Sequence, residues 1–426
     1  SDVYKRQLIM TKKLFYFVAA LLLDCNIVSS QDLIGTWRGM LNAGGQKLEI
    51  IFHFDKGSDG VSTAKMDVPA QGAKGIPANL SLLTTDSVSL DIKAINMAYS
   101  AKLSDGILRG TFKQFGMSFP LNMKPGGPDA VNRPQEPIGP FIYNTEEVSF
   151  RNNSADIMLS GTLTYPVGYI NIMKPSVVIM VTGSGAQNRD EEVFGHKPFL
   201  VIADYLARHG IASLRYDDRG VGKSTGTQAG CTSRDFADDA KCGLKWLRDS
   251  GKFGKIGILG HSEGGAIAFM VGTEANLADF IVSMAGPGIK GDTLLVEQQK
   301  AILNLKGIPQ PNLTVEELRK EMAKQPKNVW LDYFIDYDPE EDLEKLTVPV
   351  MAVNGSNDLQ VISRSNLARI QEILSCKNKK NFFKEYPNLN HLFQNCEPDS
   401  AIDYYNIEET CSEEVLHDIS TWINSL

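Results

Sequence analysis

Apolar and polar residues alternate with a period of two over much of the first third of the chain. Examples are Lys47–Phe54, with the sequence KLEIIFHF, and Ile107–Phe112, with the sequence ILRGTF; Gly, Asp and Ser residues separate such segments. A period of two is typical of strands with one buried face. The pattern predicts an all-β domain over residues 31–124.

The pattern changes after a segment that contains five prolines and three glycines between Pro125 and Pro140. This composition cannot form a helix or a central strand, so residues 125–141 are predicted to be a linker. In residues 142–426 apolar strands alternate with amphipathic helices, which predicts an α/β domain whose mostly parallel sheet is covered on both faces. The predicted strands are Glu146–Phe150, Ile157–Tyr165, Val177–Val181, Ile211–Tyr216, Lys255–Gly260, Phe280–Met284, Val350–Val353 and Phe382–Tyr386, and two prominent helices are Pro198–Arg208 and Ser233–Asp249.

A helical, charged stretch at about residues 288–346 interrupts this alternation and is predicted to be an inserted cap. It carries four aromatic residues at nearly helical spacing: Trp330, Tyr333, Phe334 and Tyr337. Pockets for small molecules are mostly apolar and aromatic, so these four residues are candidates for the substrate pocket. The alternative is that they form the packed inner face of a helix pair.

The N-terminal segment has the features of a leader and signal peptide over residues 1–30. Lys12 and Lys13 precede an apolar run, Leu14–Leu23, and the small residues 28–30 are spaced like a cleavage site. The run is about half of the ~20 residues that a membrane-spanning helix needs, so we expect an exported, periplasmic or secreted protein without a transmembrane segment in the mature chain. Lipidation of Cys25 is the less favoured alternative, because Asp24 stands where a small residue is expected.

The charge balance excludes one class of partner. Lys and Arg number 43 against 51 Asp and Glu, a net charge of -8, and no basic block is present that would neutralise a phosphate backbone, so nucleic acid is not an expected partner. Five cysteines would remain in the exported chain. Their spacing matches no zinc site, and we expect buried thiols, with one disulfide among Cys376, Cys396 and Cys411 as an open possibility.

Residues 260–264 have the sequence GHSEG, a G-x-S-x-G motif between an apolar strand and a helix of small residues. In the α/β-hydrolase fold this serine occupies a sharp strand-to-helix turn, and glycines flank it because side chains there would collide. The motif predicts Ser262 as a nucleophile and the backbone N–H of Glu263 as one donor of an oxyanion hole.

A serine nucleophile needs a histidine base and an acid to orient it, and in this fold the chain order is Ser, acid, His. Two histidines follow every candidate acid. His391 lies in a loop directly after a predicted strand, whereas His417 lies in an amphipathic terminal helix, so His391 is the predicted base. Asp358 lies in the turn-forming loop after the strand Val350–Val353 and is the predicted acid.

The loop after Val177–Val181 has the sequence TGSGAQNRD over Thr182–Asp190, and its glycines allow a close backbone approach to a substrate. It is predicted to supply the second oxyanion donor, from the N–H of either Ser184 or Gly185. A nearby GKS at residues 222–224 mimics the end of a phosphate-binding loop, but residue 217 is Asp where that motif needs Gly. Residues 217–219 are predicted to form a structural charged turn instead.

Several of these motifs together resemble those of the EstD-type bacterial esterases, in the group of serine aminopeptidase-like hydrolases. The matching segments are Thr182–Asp190, Leu214–Ser224, Gly260–Gly264, Asp358 and Asn390-His391, so the resemblance covers residue 146 to the C-terminus. It implies a carboxylesterase acting on short or medium acyl chains without a cofactor. The opening Gly35-Thr36-Trp37 of the β-domain resembles the start of lipocalin-like barrels.

The sequence thus predicts a small lipocalin-like barrel followed by an α/β-hydrolase domain with a helical cap. The predicted function is hydrolysis of small-molecule carboxylic esters through an acyl-enzyme. An aminopeptidase or thioesterase with the same three residues is the first alternative, since specificity depends on the pocket rather than the fold. The second is a ligand-binding protein with a vestigial hydrolase. The natural ester and the oligomeric state stay open.

Overall fold

A computed structural model describes residues 33–43, 46–127, 131–308, 310 and 312–426 of the chain. The predicted leader and signal peptide and Cys25 lie outside the described residues, so export, cleavage after Ser30 and lipidation stay predictions. The chain divides into two compact units at residue 130.

The first unit is a closed barrel of eight strands. Each strand pairs antiparallel with the next, and β8 pairs with β1. Alternate residues point inward, and large apolar side chains such as Trp37, Phe52, Phe54 and Tyr99 form the buried core of the barrel. This finding confirms the predicted lipocalin-like barrel. The strands are β1 (Gly35–Ala43), β2 (Gln46–Lys56), β3 (Ser62–Val68), β4 (Ala73–Leu83), β5 (Ser87–Ile92), β6 (Met97–Ser104), β7 (Ile107–Gln114) and β8 (Met117–Pro125).

The second unit is built on an eight-stranded sheet with the order β16-β15-β14-β13-β11-β12-β10-β9. The six strands from β11 to β16 run parallel, and β9 and β10 form an antiparallel edge. The strands are β9 (Thr145–Asn152), β10 (Ile157–Thr164), β11 (Val177–Val181), β12 (Ala212–Tyr216), β13 (Ile256–His261), β14 (Phe280–Met284), β15 (Val350–Gly355) and β16 (Phe382–Tyr386).

Helices cover both faces of this sheet, as the unbroken apolar sequence of its strands requires. The helices in the described residues are α1 (Pro198–Arg208), α2 (Ser233–Asp249), α3 (Glu263–Gly272), α4 (Gly291–Leu305), α5 (Val315–Met322), α6 (Val329–Asp336), α7 (Glu340–Leu343), α8 (Ser363–Leu374) and α9 (Glu413–Ser425). In β11, Ile179 packs in the core that contains α2 and α3, while the next residue, Met180, packs with α1 and α9. The predicted α/β-hydrolase fold is thereby confirmed, and α4 to α7 lie within the predicted cap.

Part of the predicted linker is fixed to the second unit by hydrogen bonds. Arg133 donates to the carbonyl oxygens of Gly195 (3.0 Å) and Tyr405 (2.6 Å), and the Gln135 side chain donates to the carbonyl oxygen of Cys411 (2.7 Å) and accepts from the N–H of Thr410 (2.6 Å). Residues 131–141 therefore pack as part of the hydrolase unit although their composition excludes regular structure.

The cysteines of the described residues form no disulfide, and the expectation that their thiols are buried holds only for Cys411. All five cysteines of the described residues have free thiols, with Cys376 exposed and Cys411 buried in the core. Over the same residues, no group of three or more His, Cys, Asp or Glu side chains is arranged to hold a metal ion. A search of the described helices for one long and apolar enough to cross a membrane gave no candidate.

Candidate active site

Ser262 forms a sharp turn between β13 and α3. Its backbone has φ 54° and ψ −121°, in a region that non-glycine residues rarely adopt. A Cβ atom at Gly260 would lie 1.9 Å from the carbonyl oxygen of Gly264, and one at Gly264 would lie 2.1 Å from the carbonyl oxygen of Val181. Only glycine fits at these two positions, so the motif builds the strained turn that lifts a serine hydroxyl above the end of the sheet.

Asp358 and His391 come together at the same end of the sheet, in the loops after β15 and β16. His391 Nδ1 lies 2.8 Å from Asp358 Oδ2, and both side chains are buried. The other carboxylate oxygen, Oδ1, accepts the backbone N–H groups of Gln360 (2.8 Å) and Val361 (2.9 Å). These bonds fix the carboxylate, and the carboxylate selects the tautomer in which His391 Nε2 is free to accept a proton.

Ser262 and His391 line one cavity of about 320 Å³. Among the described residues, no hydrogen bond joins the Ser262 hydroxyl to His391; catalytic contacts of this kind often shorten when a substrate binds. His417, by contrast, is exposed on α9 and is not part of the cavity wall.

The loop after β11 forms another part of the cavity wall. Ser184 and Glu263 line the cavity, and Gly185 does not. Gly185 has φ +99°, and a Cβ atom there would have no neighbour within 4 Å. The N–H of Gly183 is already bonded to the carboxylate of Glu191 (2.9 Å). Of the two residues left open by the sequence, Ser184 therefore has the better position for the second oxyanion donor.

The predicted charged turn after β12 is confirmed, and it holds this loop. Arg189 donates to both carboxylate oxygens of Asp217, at 3.1 and 2.8 Å. The partly buried Asp218 accepts from the Thr182 hydroxyl (3.0 Å) and from the N–H of Gln187 (2.9 Å) through its carboxyl group. Burial raises the pKa of Asp218 to about 7. The charged turn thus holds both ends of the candidate oxyanion loop by hydrogen bonds to Thr182 and Arg189.

The four aromatic residues of the cap fall into two pairs. Trp330 and Phe334 are four residues apart on α6, stack with ring centroids 5.4 Å apart, and line the cavity. Tyr333 and Tyr337 stack on each other at 6.2 Å and pack against the main core of the hydrolase unit. Residues four apart share a helix face, so the four aromatic residues lie on two faces and not on one. The prediction that Tyr333 and Tyr337 line the pocket is corrected accordingly.

The side chain of Glu263 has a role that the sequence did not reveal. It is buried, and its Oε1 accepts from the Ser233 hydroxyl at the start of α2 (2.5 Å) and from the Trp330 indole N–H of the cap (2.9 Å). The residue after the nucleophile thereby joins the cap to the strained turn. The sequence signal for this role is that Glu263 is a charged residue among the small residues of α3.

The order of strands and helices gives the second unit the α/β-hydrolase fold. Residues 197–339 match the family model described as serine aminopeptidase, S33. The chain is 27% identical to esterase EstD of Thermotoga maritima over 269 residues, which are 60% of this chain and 65% of that relative's length. These matches confirm the resemblance to the EstD-type esterases.

Solved structures of esterases are also similar to this chain. The Pyrococcus furiosus esterase Pf2001 has 18% identity and a TM-score of 0.47, covering 70% of this chain and 99% of that one. Est1E from Butyrivibrio proteoclasticus, in a structure with ferulic acid bound, has 16% identity and a TM-score of 0.44, covering 65% and 96%.

Proposed function

We propose that this protein is a serine carboxylesterase that needs no cofactor. The observation that carries the proposal is the placement of Ser262, on its strained turn, and of the Asp358–His391 pair around one cavity. Strained backbone of this kind is costly and is retained where function requires it.

In the proposed mechanism, Ser262 Oγ attacks the ester carbonyl carbon while His391 Nε2 takes the hydroxyl proton. The backbone N–H groups of Glu263 and Ser184 stabilise the negative oxygen of the tetrahedral intermediate. The C–O bond to the alcohol breaks as His391 returns the proton to the leaving oxygen, which gives an acyl-enzyme. Water then attacks the acyl carbonyl, with His391 as base, and releases the acid.

The cap side of the cavity supports an acyl group as the substrate part bound there. Leu294, Leu295, Trp330 and Phe334 contribute apolar surface to the wall. Such a wall stabilises an alkyl or aryl chain by removing it from water, at about 25 cal/mol per Å² of apolar surface. Esters with an apolar acyl group are therefore the proposed substrates, and the resemblance to the EstD-type esterases implies short or medium acyl chains.

The description of the matching family favours an aminopeptidase as the second candidate. That activity needs a carboxylate at the cavity that is free to bind a substrate ammonium group, and three acidic residues of the cap are engaged elsewhere. Asp336 pairs with Arg319 (2.7 Å), Glu340 pairs with Arg369 (2.6 Å), and Asp342 accepts from the Tyr337 hydroxyl (3.0 Å). In the described part of the cap, no acidic residue lines the cavity; the two that line it from outside the cap, Glu191 and Glu263, accept hydrogen bonds from Gly183 and Trp330.

The test is a comparison of nitrophenyl esters of several chain lengths with aminoacyl nitroanilides, using the wild type and Ser262→Ala. We expect the wild type to hydrolyse the esters, and Ser262→Ala to lose about 10⁶-fold in kcat. The melting temperature should not fall, because the hydroxyl contributes little packing. Preferential hydrolysis of the anilides would favour the aminopeptidase, and ester hydrolysis by Ser262→Ala would contradict the proposal.

A further inference from the structure

A second, buried pair of His and Glu lies directly behind the nucleophile. His261 precedes Ser262, and its Nδ1 lies 3.0 Å from Glu191 Oε1. The two residues are only 6% and 1% exposed. The proposed mechanism uses neither side chain, although a buried charged group is costly unless its partners compensate it.

Both ring nitrogens of His261 face acceptors. Nδ1 faces the Glu191 carboxylate, and Nε2 lies 2.9 Å from the carbonyl oxygen of His391. A neutral imidazole has one N–H group, so both bonds form together only in the doubly protonated ring. Burial acts to lower the pKa of His261, but the carboxylate of Glu191 outweighs it, and the pKa is raised. The geometry and the charge thus agree on an imidazolium–carboxylate pair.

Glu191 extends this pair to the candidate oxyanion loop. The oxygen that faces His261 also accepts the backbone N–H of Gly183 (2.9 Å), the residue before Ser184. Glu191 has φ 53°, and its N–H donates to the carbonyl oxygen of Asn188 (2.9 Å) in a tight turn. A left-handed conformation is unfavourable for glutamate, so the turn keeps this carboxylate in place at an energetic cost.

We propose that Glu191 and His261 are positioning residues that set the oxyanion loop, the nucleophile turn and the base loop in register. This inference rests on the proposed function. Glu191 holds the loop through Gly183, His261 belongs to the strand that carries Ser262, and its other N–H holds the main chain of His391. A displacement of one of these three parts misaligns the reacting atoms and lowers kcat.

The pair also controls the charge next to the base. The rings of His261 and His391 have centroids 4.8 Å apart. An imidazolium alone at this distance would oppose the positive charge that His391 acquires when it takes the proton from Ser262. The Glu191 carboxylate balances that charge, so the pair is neutral as a unit.

His196 offers a matched control in the same unit. It is completely buried, and its ring nitrogens face the Thr410 hydroxyl (3.0 Å) and the carbonyl oxygen of Tyr404 (2.8 Å). Burial lowers the pKa of His196 to about 4. It does not line the cavity. Its Nε2 also lies 2.9 Å from Gln394 Nε2, and the Gln394 side chain is bonded to Asn390, the residue before the base, so His196→Gln reports the cost of disturbing a buried histidine that reaches the base loop only through Gln394.

The experiment compares Glu191→Ala, Glu191→Gln and His196→Gln with the wild type. The measurements are kcat and KM on a nitrophenyl ester, the melting temperature, and the rate at which a fluorophosphonate labels Ser262. Labelling forms a bond from Ser262 Oγ to phosphorus and expels fluoride, and it depends on the same base and oxyanion donors. It needs no ester substrate, so it tests the positioning pair separately from the proposed activity.

We expect kcat and the labelling rate to fall about 10²-fold in Glu191→Ala, similar to the loss of one oxyanion donor, with KM changed less than about 3-fold. Glu191→Gln keeps an acceptor for Gly183 but not the charge, and should recover part of this loss. His196→Gln should lower the melting temperature and change kcat and the labelling rate much less than Glu191→Ala does. If Glu191→Ala does not fold, Glu191→Gln carries the test with an expected loss of about 10-fold.

Wild-type kcat and labelling in folded Glu191→Gln, or losses no larger than those of His196→Gln, would overturn the inference. Labelling of the wild type without ester hydrolysis would refute the proposed substrate class and leave the positioning pair to be judged on labelling rates. A wild type that fluorophosphonate does not label at Ser262 would overturn both proposals.

Discussion

The barrel and the hydrolase unit differ in the kinds of side chain that they bury. In the barrel, each strand pairs with its neighbour in sequence, and the buried core consists of apolar side chains. In the hydrolase unit, strands distant in sequence lie side by side, and polar side chains such as Glu191, His261, Asp358 and His391 are buried where the strands end. Buried polar groups cost free energy unless they are paired, so a concentration of them indicates a functional site.

This difference shows where changes should affect activity and where they should affect stability alone. Every residue of the candidate site lies in the hydrolase unit, whereas the barrel core contains aromatic rings packed against one another, for example Phe52 and Tyr99, with ring centroids 5.1 Å apart. Buried apolar side chains occupy the barrel interior, and the cavity that Ser262 and His391 line lies in the hydrolase unit. Three predictions test the comparison.

The largest expected difference in kcat is between variants of two histidines in the hydrolase unit, His391 and His417. His391→Ala removes the proposed base and should lower kcat by about 10⁶-fold, comparable to the loss of the nucleophile. His417→Ala changes an exposed residue of α9 and should leave kcat within about 2-fold of the wild type, because substitutions of exposed residues usually have small effects on the folded structure. Steady-state kinetics on one nitrophenyl ester measures both; the reverse order would refute the choice of base.

A core substitution in the barrel should lower stability and leave kcat unchanged. Phe52 is completely buried, so Phe52→Ala should lower the free energy of unfolding of the barrel by about 3–5 kcal/mol. Denaturant titration followed by circular dichroism measures the loss. At 25 °C we expect kcat to be unchanged, and a parallel fall in kcat would mean that the barrel contributes to the site.

The smallest effect distinguishes the two aromatic faces of α6. Trp330→Ala and Phe334→Ala should change the ratio of kcat/KM between short and longer acyl esters, because each methylene in an apolar pocket contributes about 1–3 kcal/mol of discrimination. Tyr333→Ala and Tyr337→Ala should lower the melting temperature and leave that ratio unchanged. An altered ratio in the tyrosine variants alone would reverse the assignment of faces.

Sequence reasoning located the elements that a period or a local motif determines. The strands Val177–Val181 and Phe280–Met284 and the helix Pro198–Arg208 have the predicted bounds. Ser262, Asp358 and His391 were located because each follows a strand in the loop position that the proposed chemistry needs. These signals lie within short stretches of sequence, so they do not depend on which distant segments pack together.

Contacts between distant segments could not be predicted in the same way. Glu191 and His261 are 70 residues apart, and their pairing depends on β11 lying next to β13 in the sheet. The spacing of Trp330, Tyr333, Phe334 and Tyr337 fits a helix but does not say which pair faces the cavity. That assignment depends on how α6 packs against the rest of the hydrolase unit.

The central claim is that Ser262 becomes acylated during ester hydrolysis. Rapid acid quenching of the wild type mixed with a nitrophenyl ester, followed by peptide mass spectrometry, tests it directly. We expect the mass of one acyl group on the peptide that contains Ser262 within the first turnover, and no adduct in Ser262→Ala. Ester turnover with the acyl group on another residue, or with no adduct on Ser262, would contradict the account.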